Sequence, residues 1–156
     1  MVKINFDRAI FCRENKSGIR VVIRDCSGSV LTSYSKKISQ AFKSSEVEAL
    51  AVVTALSFAT KVGITEVVLE GDSMEVIQAL IQPGSTLSSI GPWIDDSKVL
   101  ANDFVQLQFS HARRDCNRLA HSLARYAIDI PDFLVWMDDI PPQFIVVLQA
   151  DLTNLI

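Results

Sequence analysis

Three strand-like runs arrive within the first 35 residues, before any helical signal, and this order limits the folds open to the chain more than any other feature. Val2, Ile4 and Phe6 alternate with Lys3, Asn5 and Asp7, the pattern of a strand with one apolar and one polar face. Gly18 to Arg24 and Val30 to Ser35 flank Asp25-Cys26-Ser27-Gly28-Ser29, a turn-rich connector of the kind that joins a hairpin. A three-stranded antiparallel meander is therefore expected. Ser45-Glu46-Val47-Glu48 then fits a helix-starting box, with Ser45 as cap and Glu48 reaching back to it, and an Ala-, Leu- and Val-rich run continues to Thr60. Gly63 ends that helix, and Glu66 to Glu70 reads as a fourth strand. Asp72 reads as the cap of a short helix through Leu80, with Pro83-Gly84-Ser85 as its break. A helix over Trp93 to Ala101, a fifth strand over Phe104 to Phe109 and a helix over Asn117 to Ala127 complete the order. Strands followed by alternating helices and strands imply an α/β fold, a mixed sheet with helical crossovers.

The chain has 156 residues, 49% of them hydrophobic and 21% charged, which suits one globular domain with a full core. Beyond Asp129 the composition turns apolar and acidic, with Pro131, Pro141 and Pro142. Residues 1–128 are read as the domain and 129–156 as an extension. Phe133 to Trp136 and Phe144 to Val147 are too apolar to stay exposed, and packing of the extension on the domain is expected. The longest weakly polar stretch, Ala49 to Ala59, is well short of the ~20 residues that span a bilayer, so no membrane partner is expected. Charge at Lys3, Asp7 and Arg8 comes too early for a secretory signal; an intracellular site, nuclear or cytoplasmic, is expected, and a monomer. Cys12, Cys26 and Cys116 show neither CxxC pairing nor metal-ligand spacing.

Net charge is −3, which argues against non-specific coating of nucleic acid. Its distribution says more: His111 to Arg125 carries Arg113, Arg114, Arg118 and Arg125 against Asp115 alone, a stretch able to meet an anion.

In a meander the third strand runs parallel to the first, so the helix after it begins at the end of the sheet toward which the first strand runs. Glu48 lies in the first turn of that helix, and Asp72 directly follows a strand of the same direction. Three carboxylates from separate elements, Asp7, Glu48 and Asp72, thus meet at one rim, where ligand sites of such sheets lie. Each also has an ordinary explanation: a polar strand face for Asp7, a capping box for Glu48, a helix cap for Asp72. Jointly they suit Mg²⁺, which binds carboxylates and in paired sites serves phosphodiester cleavage. His111 and His121 are either metal ligands or locally hydrogen-bonded. Arg113, Arg114 and Arg118 are either a solvated face or a clamp for phosphates.

The runs Lys3-Ile4-Asn5-Phe6-Asp7, Ile23 to Gly28, Glu46-Val47-Glu48-Ala49-Leu50, Leu69-Glu70-Gly71-Asp72-Ser73 and Asn117 to Ala124 resemble, in order and spacing, the ribonuclease H-like domains abundant in plants, the reverse-transcriptase-associated type related to non-LTR retroelements. The resemblance covers residues 1–128. It implies a five-stranded mixed sheet of order 3-2-1-4-5 with flanking helices. It also implies metal-dependent endonucleolytic hydrolysis of the RNA strand of RNA–DNA hybrids, with Mg²⁺ or Mn²⁺ as cofactor. Asp7, Glu48 and Asp72 match the first three acidic ligands, and His121 stands at the fourth acid's position. Arg113 and Arg114 match the loop where the family places substrate-contacting or proton-shuttling residues. Arg8 stands where the family commonly has Gly, adding bulk and positive charge beside the site. Imidazole suits zinc or manganese better than magnesium.

Two functions follow. One is a nuclease of this type acting on hybrid or structured RNA, with Asp7, Glu48 and Asp72 as catalytic ligands, His121 as a further ligand, and Arg113, Arg114 and Arg118 binding nucleic acid. The alternative is a silent module that keeps the fold to bind nucleic acid or protein.

Overall fold

A computed structural model describes residues 1–113 and the backbone of strand 133–137. The expected meander is present: β1 (Val2–Phe11), β2 (Lys16–Arg24) and β3 (Val30–Ile38) pair antiparallel in sequence order. All three run longer than the alternation alone indicates. β1 continues four residues past Asp7, because Arg8 to Phe11 keep pairing with β2 down to Phe11↔Lys16. The turn there is a short 3-10 segment, Cys12–Glu14, closed by Asn15 at φ 50°, a left-handed position that Asn tolerates better than most residues.

Helix α1 (Ser44–Lys61) follows, then β4 (Glu66–Gly71), α2 (Met74–Ile81), α3 (Gly91–Ala101) and β5 (Gln106–His111). β4 pairs parallel with β1, and β5 pairs parallel with β4. The order 3-2-1-4-5 with flanking helices is as expected. A sixth strand, β6 (Phe133–Met137), pairs antiparallel with β3 from Thr32↔Met137 to Lys36↔Phe133 and sets the full order β5-β4-β1-β2-β3-β6. The sequence reading assigned no strand there.

Two element bounds differ from expectation for identifiable reasons. β5 starts two residues later than the apolar alternation suggests, since the amides of Val105 and Gln106 both donate to the Thr65 carbonyl and the ladder proper opens at Glu66↔Gln106. The later register carries His111 to the rim, opposite Gly71. α3 starts two residues earlier than Trp93, because Pro92 sits in its first turn, where a missing N–H costs nothing.

The core lies between one face of the sheet and α1. Ile4, Phe6, Ile19, Val21 and Ile23 meet Val47, Ala51, Val52, Ala55, Leu56 and Ala59, all buried. α1 also packs on α3, so it is covered on more than one side, which is why its sequence is apolar around most of its circumference rather than along one stripe. The helix is thereby pinned against β1, and its first turn is held where β4 ends. Among the described residues, no helix is long and apolar enough to cross a membrane.

Gly71, the last residue of β4, is needed where it stands. A Cβ there would run into the ring of Phe6, a fully buried side chain with no room to retreat. Gly71→Ala should therefore cost about 1–3 kcal/mol through overpacking and lower the melting temperature by several degrees, read by thermal denaturation of the full chain.

Candidate active site

The β1–β4 ladder ends at the pair Asn5↔Glu70. Asp7 stands two residues further along β1 and Asp72 one residue past the end of β4, so parallel pairing brings these carboxylates to the same level of the rim. Glu48 enters from above, on the first turns of α1. Ligand oxygens of Asp7, Glu48 and Asp72 lie within 4.8 Å of one another. Asp7 is fully buried, Glu48 is 1% exposed and Asp72 is half-buried. The three-acid rim expected from the sequence is thus assembled.

The ordinary roles weighed for Glu48 and Asp72 are filled by other residues. The box at the start of α1 lies two positions earlier than Ser45 and Glu48: Lys43 is the N-cap, and its backbone N–H donates to the Glu46 carboxylate at 3.1 Å. The cap of α2 is Ser73, whose hydroxyl accepts from the Val76 N–H at 3.4 Å. Glu48 is therefore turned inward by helical spacing on the same face as Val52, and Asp72 precedes its helix, so both carboxylates reach the cluster.

Electrostatics make this a costly arrangement. Burial, first, and then the negative charges of Asp7 and Asp72 push the Glu48 carboxyl well above the ordinary carboxylate range, with Arg8 pulling partly back. Neither Glu48 oxygen receives a hydrogen bond, and such an orphaned buried carboxylate is expensive unless a cation meets it. The Arg8 guanidinium approaches without closing: Nε is 3.7 Å from Glu48 Oε2 and Nη1 is 3.6 Å from Asp7 Oδ1. Its Nε instead donates to Ser44 Oγ at 2.8 Å, while its backbone N–H donates to Asp7 Oδ1 at 2.8 Å.

Of the two roles open to His111, metal ligand or locally bonded residue, the structure shows a local bond. Its Nε2 is 3.1 Å from the Asp72 carbonyl oxygen, so it ties the end of β5 to the loop that carries Asp72. The Ala112 N–H adds a bond to the Gly71 carbonyl at 2.9 Å. Arg113 is exposed two residues beyond His111 on this side. Arg114, Arg118 and His121, with the helix expected over Asn117 to Ala127, lie outside the described residues.

Because the folded state favours the protonated form of Glu48, it binds protons more tightly than the unfolded chain. Stability is therefore lost as pH rises above the ordinary carboxylate value of 4.5. In chelator-treated buffer at neutral pH, Glu48→Gln should melt a few degrees higher than the parent, and the difference should vanish near pH 4. A melting series across that range checks both statements.

A sequence profile described as reverse transcriptase-like matches residues 5–127. No protein of curated function matches the sequence. Among solved structures, the chain is similar to the RNase H1 of the halophilic archaeon Halobacterium salinarum, with a TM-score of 0.75 and 23% identity, covering 82% of this chain and 97% of that one. It is similar to the N-terminal RNase H domain of a Mycobacterium tuberculosis protein, with a TM-score of 0.73 and 23% identity over 82% and 93% of the two chains. It is also similar to LC11-RNase H1, solved in complex with an RNA/DNA hybrid, with a TM-score of 0.72 and 23% identity over 83% and 97%. With the profile spanning most of its length and the sheet order matching, this chain belongs to the reverse transcriptase-like family and has the ribonuclease H fold.

Proposed function

We propose that this domain, of the retroelement-associated plant type, hydrolyses the RNA strand of RNA–DNA hybrids with the help of divalent cations, as a monomer inside the cell. The observation that carries the reading is the three-carboxylate cluster whose most buried member, Glu48, has two oxygens without a hydrogen-bond donor. A donor set made only of hard oxygens from separate elements fits Mg²⁺ or Mn²⁺. Asp7, Glu48 and Asp72 would hold the metal, with His121 as a further ligand. When bound, divalent metal would supply Lewis-acid chemistry, activation of a water for attack on the scissile phosphodiester and neutralisation of charge on the leaving 3′ oxygen. The chain's own residues do the positioning. β1 and β4 set the spacing of the two aspartates, Ser73 takes over the capping of α2, and His111 fixes the backbone of Asp72. Arg113, Arg114 and Arg118 would hold hybrid phosphates that the acids alone would repel. The hybrid in the LC11-RNase H1 complex supports this choice of substrate.

A second reading, a silent module binding hybrid or protein without cleavage, draws on Arg8, whose positive charge already meets Asp7 and Glu48. The two readings separate on a labelled RNA–DNA hybrid in Mg²⁺ and Mn²⁺. Under the nuclease reading Asp72→Asn lowers turnover by about 100-fold or more, the several kcal/mol expected on losing a metal ligand; turnover indifferent to that change refutes the assignment. Binding without any turnover establishes the silent module. In either case, affinity for hybrid should fall as salt rises and fall uniformly across sequences when Arg113 is replaced by Ala.

A further inference from the structure

Arg8 is the one cation the described residues place directly on the acidic cluster. It follows Asp7 in β1, so its side chain leaves the strand on the opposite side of the pleat and runs toward the first turn of α1. There the guanidinium is docked by the 2.8 Å bond from Nε to Ser44 Oγ. It stands 3.6 Å from Asp7 and 3.7 Å from Glu48, longer than the ~2.7–2.9 Å of closed charge-assisted bonds. It therefore adds a fixed positive charge without occupying the Glu48 oxygens, which remain without a hydrogen bond. As metal ligands the three carboxylates would be ionised and carry three negative charges, of which Arg8 returns one. The remainder equals the charge of a single divalent ion. A second divalent ion between Asp7 and Glu48 would have to sit against the guanidinium in a site that is almost wholly buried.

Resting on the reading of this rim as a divalent-cation site, we propose that Arg8 takes the electrostatic place of one cation. The Asp7–Glu48–Asp72 rim then holds one divalent ion, and the docked guanidinium supplies the second positive centre. Its side chain is 20% exposed, and a guanidinium fork matches the oxygens of a phosphodiester. A centre of this kind grips a backbone phosphate at two positive points, one exchangeable and one permanent.

Calorimetric titration of the full chain with Mn²⁺ tests this directly, comparing the parent with Arg8→Ala and Arg8→Lys. The parent should bind one ion. Arg8→Ala should bind two, with the first held about tenfold more tightly once the like charge is gone, and Arg8→Lys should keep the parent's stoichiometry. Ser44→Ala keeps the guanidinium and removes only its dock. It should tighten Mn²⁺ by about threefold and guards against an Arg8→Ala chain that does not fold. In chelator, Arg8→Ala should melt below the parent, and saturating Mn²⁺ should close the gap. Two ions in the parent, or one ion of unchanged affinity in Arg8→Ala, would overturn the proposal while leaving the cation rim intact. Uptake by none of these chains would overturn the rim and the proposal together.

Discussion

Repulsion among three carboxylates is the constraint around which the rim is built, and the apolar core is what withstands it. Asp7 and Glu48 are buried within a few ångströms of each other and of Asp72, a juxtaposition that free side chains would avoid. α1 cannot back away, because Val47, Val52, Leu56 and their neighbours are locked into the sheet and α3 closes over the helix. β1 and β4 are held side by side up to the rim by the parallel ladder that ends at Asn5↔Glu70. Packing free energy gathered over the whole domain is thus applied at one edge as preorganised negative potential. That is the usual relation between a stable scaffold and a destabilised site.

The same view explains how backbone duties are divided near the rim. Where an acid could have capped a helix, a different residue does so: Glu46 answers the Lys43 N–H, and Ser73 answers Val76. Each substitution of roles directs a carboxylate into the cluster while another side chain caps the helix start. His111 contributes from the far side of β4 by holding the Asp72 carbonyl, so the half-buried member of the cluster is tethered through its main chain.

Much of this was legible in the residues, and the exceptions have physical causes. The meander, the crossover order and the convergence of positions 7, 48 and 72 follow from periodicity and strand direction, which short-range patterns encode well. Helix starts were displaced because Ser45-x-x-Glu48 and Lys43-x-x-Glu46 overlap, and only burial decides which glutamate turns toward the backbone. β5 begins two residues later than its composition suggests because Phe104 and Val105 look like strand, while the pairing is set by the Thr65 carbonyl just ahead of β4. The dock of Arg8 on Ser44 joins residues 36 apart in sequence, and no local signal announces it. The role of His111 likewise depends on a carbonyl 39 residues away. β6 has no distinctive local signature, because an apolar run of five residues between prolines reads as readily as a buried loop.

The position of β6 has a consequence for the order in which the molecule completes itself. β3 ends at Ile38, and its outer neighbour is not synthesised until Met137. At about 5–20 residues per second on the ribosome, the flank of β3 stays uncovered for roughly 5–20 s after the meander could first form. During that interval the nascent chain presents an open row of peptide groups of the sort that recruits stray strands. Lys36 and Lys37 near the end of that strand are the kind of charged residues that discourage such encounters, so the edge carries its own deterrent until β6 arrives to seal it.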